Sequence, residues 1–474
     1  MRADDGRYLR RHLAEDRTRS AVAAARTRSA FERREVARGG RLVAPPASVA
    51  VVGGGLAGLA AATCLKRAGA RVELFERSRL LGGRATSFEM DGHVVDNGQH
   101  VYLACCTSFM EFVREFGPPG SLHTQDRFDV TVFSKDGRRS RLRAANVPAP
   151  LHLFASFASY AHLPAAGKVQ IARALVSLKL DPKSARDDIS FAQWLREHGQ
   201  SVQTMRAFWE PFMVPALNAP LDRMTAAEAA FVIDTAFLHD RDAARFGYST
   251  VPLATIMEGA AQALDAVHRS SAVFSMEASA NGVTLNTAGS QHSFDAAVIA
   301  TSPRSMAKLL PADIAAALPP LDTYEPYAIM DVHLWYDGPE LDFEFAAILD
   351  SPVQWVFRKA KGYLCCSISD AGDLVAKPSA EMAQFAWNEV RAALPLAGAT
   401  LVRGAATRNP EGTFLPQPGT VRPGARTALP NLALAGAWTA TGWPDTMESA
   451  VRSGIAAAEV LLNSTVAKRE RLLA

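Results

Sequence analysis

The sequence predicts an α/β fold in which a Rossmann-like domain with a parallel sheet is combined with a discontinuous α+β domain. A strand, a glycine-rich turn, a helix and a second strand follow one another between Val49 and Glu76. A long helical pattern occupies the middle of the chain, and buried strand patterns return at Ala296 and Leu432. The length of 474 residues allows two domains with a large core.

The first unit reads VAVVGGGLAGLAAATCLKRAGARVELFE and has the glycine spacing of a dinucleotide site. Gly53 allows a tight turn after the first strand, Gly55 lets a pyrophosphate approach the backbone, and Gly58 lets the helix pack closely on the strand. The phosphates are expected at the N-terminus of that helix. The second strand, residues 71–75, ends at Glu76, a carboxylate suited to accept hydrogen bonds from a ribose diol. These residues alone leave NAD and FAD both open.

A second close approach of the backbone is predicted at Leu81-Gly82-Gly83-Arg84. Gly83 again leaves room for a ligand against the main chain. Arg84 adds a planar guanidinium, which can bind a phosphate or a carbonyl group of the cofactor as a fork.

The rest of the chain divides into two interleaved domains. Strands are predicted at residues 129–133 and 140–143, and a helical lobe is predicted from Leu151 to about His239. Alternation of apolar and polar residues over 325–370 predicts an antiparallel sheet of the second domain. The run from Ala296 to Thr301 predicts a central strand of the nucleotide domain. The predicted domains are a basic tail at 1–46, disordered or partly helical, a nucleotide-binding domain at 47–110, 245–305 and 405–465, and a substrate-binding domain at 111–244 and 306–404.

The C-terminal block NLALAGAWTATGWPDTMESAVRSG predicts a second contribution to the nucleotide site. A buried strand over Leu432–Ala435 ends in a turn at Gly436, and a helix begins near Thr446. Asp445 is predicted as the N-cap of this helix, with Glu448 completing a capping box. The exposed N–H groups of the helix are expected to point into the same cleft as the first glycine loop.

A resemblance to a known superfamily is carried by GGGLAGLAAA, LGGRATSF, DNGQHVYL, PALNAP, QWVF and LAGAWTATGWPDTMESAVRSG. Together these segments resemble the flavin-containing amine oxidase and phytoene desaturase superfamily. Within it they are most similar to the squalene-associated hydroxysqualene dehydroxylases of bacterial hopanoid pathways. The resemblance runs from about Val49 to Leu462, and DNGQH together with the C-terminal block is its most specific part.

The resemblance implies a flavoprotein of the GR2 type, with FAD along the first domain and an apolar tunnel for a C30 isoprenoid in the second. The implied reaction is reductive removal of the hydroxyl of hydroxysqualene to give squalene. An allylic alcohol loses water and reduced flavin delivers hydride. The chain then has to supply orientation, a dry site and an acid for the leaving oxygen.

The loop DNGQH is expected beneath the flavin. Asn97 and Gln99 are predicted to bond the ring or the ribityl chain, and Gly98 is the predicted point of closest approach. His100 is the candidate acid, because a histidine ordinarily titrates near neutrality. A turn-capping or backbone-bonding role for His100 is the open alternative.

The C-terminal residues expected at the cofactor are Gly436, Ala437, Thr446 and Met447. The resembled family usually has an acid after this glycine, and the alanine here removes a charge-assisted hydrogen bond of about 1.5 to 3 kcal/mol. The N-terminus of the last helix is expected to stabilise negative charge on reduced flavin by about 1 kcal/mol. A second departure is the pair Arg358-Lys359 after QWVF, where an acid is expected.

The block FWEPFMVPALNAP is the predicted wall of the tunnel, through Phe208, Trp209, Phe212, Met213 and Asn218. Aromatic residues at helical spacing are also typical of a core, which is the alternative interpretation.

The segment LHLFASFASYAHLP, Leu151 to Pro164, carries an apolar stripe of Leu153, Phe157 and Ala161. It is predicted either to dip into a membrane surface or to pack against the core.

Two other functions stay open. A carotenoid desaturase uses the same kind of cleft with hydride flowing from an allylic CH2 to oxidised FAD. A flavin-less lipid-binding protein follows if the alanine at position 437 abolishes cofactor binding. Amine oxidation is less favoured, because no aromatic pair is recognisable beside the ring.

Composition and charge limit the classes of binding partner that the sequence predicts. Residues 1–46 hold 12 Arg and no Lys against 6 acidic residues, so the remaining body, with 39 basic and 42 acidic residues, gives no sign of a nucleic-acid partner. The Arg-rich tail is also compatible with anionic lipid, and no apolar run reaches the ~20 residues of a membrane span. Five cysteines without a disulfide framework suggest a reducing cytosol, and no metal-ligand spacing is present. The electron donor and the oligomeric state are not indicated.

Overall fold

The computed structural model describes residues 45–90 and 92–473. The predicted basic tail therefore lies almost wholly outside the described residues. The unit from Ala44 onward contains five sheets, of which a five-stranded parallel sheet and a seven-stranded mixed sheet are the largest in the described part. This arrangement confirms the predicted α/β class.

The strands are β1 (Ser48–Val52), β2 (Arg71–Phe75), β3 (Ser87–Met90), β4 (His93–Asp96), β5 (Val101–Leu103), β6 (Leu122–Thr124), β7 (Asp129–Phe133), β8 (Arg139–Arg143), β9 (Phe246–Ser249), β10 (Ala266–His268), β11 (Val273–Ser279), β12 (Gly282–Thr287), β13 (Ser290–Phe294), β14 (Ala296–Ile299), β15 (Pro326–Asp337), β16 (Phe345–Ile348), β17 (Trp355–Ala360), β18 (Tyr363–Ser369), β19 (Thr400–Phe414) and β20 (Leu432–Leu434).

The helices are α1 (Leu56–Arg67), α2 (Thr107–Phe116), α3 (Phe154–Ala158), α4 (Ala165–Leu180), α5 (Phe191–Glu197), α6 (Val202–Thr204), α7 (Glu210–Leu217), α8 (Ala226–Ile233), α9 (Leu253–Ala261), α10 (Pro303–Leu309), α11 (Ala312–Ala316), α12 (Ser379–Ala393) and α13 (Met447–Leu473). Met205–Trp209 and Asp234–Leu238 form π-helical turns, and Leu151–Leu153, Pro182–Ser184, Leu321–Thr323 and Gly372–Ala376 form 3-10 turns.

The first sheet is assembled from distant parts of the chain. Its order is β10-β2-β1-β14-β20, and all of its pairings are parallel. Val49 pairs with Ala296, and Ala297 pairs with Leu432. In β1 and β14, valine, alanine and isoleucine fill every position except Ser48, because both faces of a parallel sheet are covered.

Two helices cover one side of this sheet and meet at a glycine. A Cβ on Gly454 of α13 would lie 2.3 Å from the carbonyl oxygen of Ala57 on α1, so the backbones approach closely there. The C-terminal helix is thereby packed against the helix that follows the first glycine loop.

The second sheet has the order β19-β15-β18-β17-β16-β7-β8 and is antiparallel except where β16 pairs with β7. The face of β15 that carries Met330, Val332 and Leu334 packs in one core with residues of α12. The opposite face carries Asp331 and His333, both buried. A buried polar face is unusual, and it lies beneath the loop that follows β4.

The structure shifts two of the predicted domain boundaries. Strand β19 runs without a break through residue 405 as part of the second sheet, so the chain returns to the first sheet only at β20. Helix α2 extends beyond residue 110 and packs in the core of the first sheet through Phe109, Phe112 and Val113.

All five cysteines lie in the described part of the chain and are free thiols. Within residues 45–90 and 92–473, no helix has the length and apolar character needed to cross a membrane.

Candidate functional site

The first glycine loop has the geometry that its spacing predicts. Gly53 adopts φ +109°, and a Cβ there would lie 2.5 Å from the carbonyl oxygen of Ala300. A Cβ on Gly58 would lie 1.9 Å from the carbonyl oxygen of Gly53. Side chains are therefore excluded at both positions by the tight turn and by the contact of helix and strand.

The two glycine loops stack against each other. Gly55 forms a parallel bridge with Gly82, and the N–H of Gly82 donates to the carbonyl oxygen of Gly54 at 2.8 Å. Gly83 has φ +59°, and a Cβ on it would lie 3.3 Å from the Cα of Gly55. Among the described residues, no side chain caps α1, and its first turn has no acid. This bare cradle at a helix N-terminus fits the diphosphate of a dinucleotide.

Glu76 lies at the end of β2, where the ribose acceptor is predicted. Its two carboxylate oxygens accept the N–H groups of Gly54 and Ser78, each at 2.7 Å. Because a carboxylate offers about four acceptor sites, two such bonds leave capacity for a ribose diol.

Arg84 forms a bidentate ion pair with Asp445. Its Nη1 and Nη2 donate to the two carboxylate oxygens at 2.8 and 2.7 Å, and Nη1 also donates to the carbonyl oxygen of Gly412 at 2.7 Å. Burial acts to lower the pKa of Arg84, but the charge and hydrogen bonds of Asp445 outweigh it and the pKa is raised. The guanidinium predicted for a phosphate or a flavin carbonyl thus already has a carboxylate partner.

The loop from Asn97 to His100 lies beside Arg84. The Asn97 side chain donates to the carbonyl oxygen of Arg84 at 3.2 Å, and Gly98 has φ +96°. The Gln99 side-chain oxygen accepts from Nζ of Lys359 at 3.0 Å, so one of the two unexpected cations after QWVF reaches this loop. Nδ1 of His100 lies 3.0 Å from the carbonyl oxygen of Gly98.

A buried carboxyl group beneath this loop was not predicted from the sequence. Asp331 in β15 is 2% exposed, and a Cβ on Gly98 would lie 2.6 Å from its Oδ2. Burial raises the pKa of Asp331, against the opposing effects of hydrogen bonds from the Gln99 N–H and Ser367. The alternation of β15 places this side chain on a buried face, but no sequence pattern indicates that a loop from the first domain covers it.

His333 lies two residues along the same face. Its Nδ1 is 2.8 Å from the hydroxyl of Tyr363, and burial lowers its pKa to about 4. With Asp331 it forms a polar layer between the second sheet and the loop, in which burial shifts the pKa of each side chain toward its uncharged form.

The C-terminal turn is held by backbone contacts. A Cβ on Gly436 would lie 2.2 Å from Nε1 of Trp438. The carbonyl oxygen of Ala437 accepts hydrogen bonds from Arg422 and from Oγ of Ser449. Where the family usually has an acid, this chain therefore presents a buried methyl group on a firmly anchored turn.

The start of α13 differs from the prediction. Oγ1 of Thr446 accepts the N–H of Ser449 at 3.3 Å, so Thr446 is the N-cap and the predicted capping box of Asp445 and Glu448 is wrong. The Asp445 carboxylate pairs with Arg84, and Glu448 bonds to α2. Both carboxylates bond to groups that are distant in the sequence, so they do not form the local capping box. Met447 follows as the first residue of α13 and packs against the core of the first sheet.

The predicted tunnel residues divide into two groups. Phe208 and Phe212 are partly buried and belong to an aromatic cluster in which Phe212 meets Trp355 at a ring distance of 6.1 Å. Trp209 and Met213 are each 2% exposed and are core residues.

Asn218, the fifth predicted tunnel residue, is 2% exposed and bonds to two other segments. Its Nδ2 donates to Oγ1 of Thr413 at 2.9 Å and its Oδ1 accepts the N–H of Asp370 at 2.9 Å. At φ +48° it ends α7 and joins the helical lobe to the second sheet.

A cavity of about 450 Å³ lies between the helical lobe and the second sheet. Its lining, as far as the chain is described, does not include the five predicted tunnel residues; it includes Arg206, Glu210, Asp350 and Asp370. A cavity with this many charges does not suit a hydrocarbon chain.

The segment predicted for a membrane or the core packs partly against the core and is partly exposed. Leu153 and Phe157 pack against the core of the helical lobe, whereas Leu151 and Phe154 are 65% and 67% exposed. Helix α4 adds exposed Val176 and Leu180.

Family models of known proteins match this chain over two ranges of residues. A family model for flavin-containing amine oxidoreductases matches residues 56–462. A model for the C-terminal domain of alanine dehydrogenase/PNT matches residues 20–90, which include the first glycine loop.

A hydroxysqualene dehydroxylase of Rhodopseudomonas palustris is 29% identical over 440 residues, which cover 88% of this chain and 98% of that protein. A zeta-carotene desaturase of Synechocystis sp. is 25% identical over 490 residues, which cover 90% of this chain and 99% of that protein. Among solved structures, a putrescine oxidase superposes with a TM-score of 0.68 at 19% identity, over 88% of this chain and 99% of that one. The similarity to putrescine oxidase shows that the two chains share a fold.

Proposed function

Because this chain belongs to the flavin-containing amine oxidoreductase family, we propose that it is a hydroxysqualene dehydroxylase of squalene and hopanoid biosynthesis. It is an FAD-dependent oxidoreductase. The proposed substrate is the C30 alcohol hydroxysqualene and the product is squalene. The single observation that carries the proposal is the end-to-end similarity to hydroxysqualene dehydroxylases, on which the substrate assignment rests.

The proposed reaction breaks one C–O bond and forms one C–H bond. The oxygen leaves as water after taking up a proton, and the allylic carbon receives two electrons and a hydrogen as hydride. When bound, FAD in its reduced form supplies that hydride. The chain has to bind the cofactor, orient the alcohol, deliver the proton and exclude bulk water.

The residues that fit the cofactor come from two separate parts of the chain. The stacked loops at Gly53–Gly58 and Gly82–Gly83 offer backbone N–H groups to the diphosphate, and Glu76 offers its carboxylate to the ribose. The anchored turn at Gly436–Ala437 and the Thr446-capped start of α13 are assigned to the flavin end. Retention of these features supports FAD binding despite the missing acid.

His100 is assigned as the acid for the leaving oxygen. Its Nδ1 bonds to the carbonyl oxygen of Gly98, which fixes the ring and leaves Nε2 as the nitrogen that carries the transferable proton. Asp331 braces the same loop through the Gln99 N–H. Burial raises the pKa of the Asp331 carboxyl group beneath the loop, so its protonated form is more favoured than in an exposed aspartate.

The aromatic cluster of Phe208, Phe212 and Trp355 is assigned to the isoprenoid. Partly buried rings can contact polyene chains without hydrogen bonds, and their faces stabilise an allylic cation. A dry aromatic wall also keeps water from the cation.

A peripheral contact with a membrane is part of the proposal. Exposed Leu151 and Phe154 give the helical lobe an apolar surface that is suited to the interface from which a C30 substrate must be drawn.

Anaerobic turnover tests the proposed function. The FAD-loaded protein is reduced with dithionite and given hydroxysqualene, and squalene is expected by gas chromatography. Product formed only by the oxidised protein, and only from phytoene-like polyenes, would identify a carotenoid desaturase instead. Purified protein that shows no flavin absorbance after incubation with FAD would identify a lipid-binding protein without the cofactor.

A further inference from the structure

The Arg84–Asp445 ion pair joins the two halves of the cofactor site across 361 residues of sequence. Arg84 follows the second glycine loop directly, and Asp445 immediately precedes the N-cap of α13. Segments expected at the diphosphate and at the flavin ring are thereby connected by side chains of this chain alone.

The two partners differ in freedom to move. The Asp445 side chain is 6% exposed and also accepts the N–H of Phe414 at 3.1 Å. The Arg84 side chain is 40% exposed. The carboxylate is therefore fixed, whereas the guanidinium, although its Nη1 also donates to the Gly412 carbonyl oxygen, belongs to a partly exposed side chain that another anion can approach.

The Asp445 carboxylate and the FAD diphosphate compete for Arg84, because both are anions. Asp445 places a negative charge beside a helix N-terminus, where its negative charge is stabilised. FAD brings a diphosphate of the same sign into the site. The carboxylate and the diphosphate can each pair with Arg84. A guanidinium that donates from both terminal nitrogens to one of these anions cannot form the same bidentate pair with the other.

We propose that Asp445 limits the affinity of this site for FAD, because it holds the Arg84 guanidinium in an ion pair with which the cofactor must compete. The inference rests on the FAD site of the proposed function. Asp445 is a positioning residue that acts through Arg84, and it makes the cofactor exchangeable rather than permanently bound.

The test is a double-mutant cycle on cofactor affinity. The wild type, Asp445→Asn, Arg84→Gln and the double variant are stripped of flavin, and the Kd of FAD is measured by quenching of flavin fluorescence. Asp445→Asn keeps the shape and the acceptor oxygen but loses the charge, so FAD should bind about three- to tenfold more tightly. Arg84→Gln should weaken binding, and Asp445→Asn should bring little gain in that background.

Asp129→Asn is the matched control, because it breaks a bidentate pair with Arg141 on β7 and β8 and should leave the Kd unchanged. An unchanged or weaker Kd for Asp445→Asn would overturn the inference. So would an equal gain with and without Arg84, since Asp445 would then act by its own charge. If Asp445→Asn unfolds, the same prediction passes to Asp445→Glu, which moves the carboxylate relative to Arg84 and should change the Kd only when Arg84 is present. A wild type that binds no FAD overturns the proposed function together with this inference, whereas a flavin-binding wild type with no coupling overturns this inference alone.

Discussion

The Glu448 carboxylate on α13 accepts the backbone N–H of Phe109 on α2 at 2.8 Å. The side chain is fully buried, and its other oxygen accepts the N–H of Ser108 at 3.1 Å and pairs with Nε of Arg452 at 2.6 Å. A residue of the last helix thus caps a helix 340 residues earlier, beside the candidate site.

Glu448→Ala is expected to lower stability by about 3 kcal/mol, because it leaves one buried N–H group, one partly buried N–H group and one arginine without their acceptor. Differential scanning calorimetry of the FAD-free protein measures the change as a fall in Tm. Glu381→Ala, which removes only an exposed ion pair with Lys377, should shift Tm far less. Equal shifts for the two variants would contradict the capping role.

Gly58→Ala is expected to destabilise the protein by at least about 3 kcal/mol, since its Cβ has no room against the Gly53 carbonyl oxygen. The added methyl group separates α1 from β1 and so should also weaken FAD binding. Gly424→Ala is the control, because a Cβ there meets no atom of the described chain within 4 Å and φ is ordinary. A soluble Gly58→Ala protein with wild-type Tm and FAD affinity would refute this account of the loop.

Glu228 provides a test of pH dependence. Burial raises its pKa from 4.5 to about 7, although the Arg422 charge opposes the shift. A carboxyl group with a raised pKa binds its proton more tightly in the folded state, so stability falls as pH rises from about 4.5 to about 7. The loss is on the order of 3 kcal/mol.

Glu228→Gln removes this titration. Its Tm relative to wild type should therefore rise between pH 5 and pH 8, with the buffers matched in ionic strength. A difference in Tm that stays constant over this range would show that Glu228 is already charged in the folded protein at pH 5.

The membrane contact is tested with Leu151→Glu combined with Phe154→Glu. Each exposed apolar side chain contributes about 1.5 kcal/mol or more on burial, so the double variant should lose at least about tenfold in vesicle affinity. Co-sedimentation with phosphatidylcholine–phosphatidylglycerol vesicles measures it. Phe274→Glu, a change at a similarly exposed side chain on β11, should bind like wild type. Equal loss in both variants would argue against a defined surface.

Local patterns predicted the first unit well. The strand at 49–52, the helix after Gly55 and the strand ending at Glu76 all follow the prediction within a few residues. Buried strand patterns and glycine spacing depend on residues that are close together in the sequence, so they can be recognised from the sequence. The helical lobe and the antiparallel sheet were readable for the same reason.

Contacts between residues that are far apart in the sequence could not be predicted from it. Asp445 has the position of an N-cap, yet Arg84 binds its carboxylate, because a buried bidentate pair and the Phe414 N–H outweigh one capping bond. The strand β19 was also missed over most of its length, since RGAATRNPEG has few strand-forming residues and a proline. Its place beside β15 is set by pairing with that strand.

The order of strands in the parallel sheet also bears on folding. Because Val49 pairs with Ala296 and Ala297 pairs with Leu432, the sheet joins strands that are far apart in the sequence. Pairings of such long sequence separation are slow to form, so the first glycine loop is expected to face the flavin-end turn only after the whole sheet has assembled.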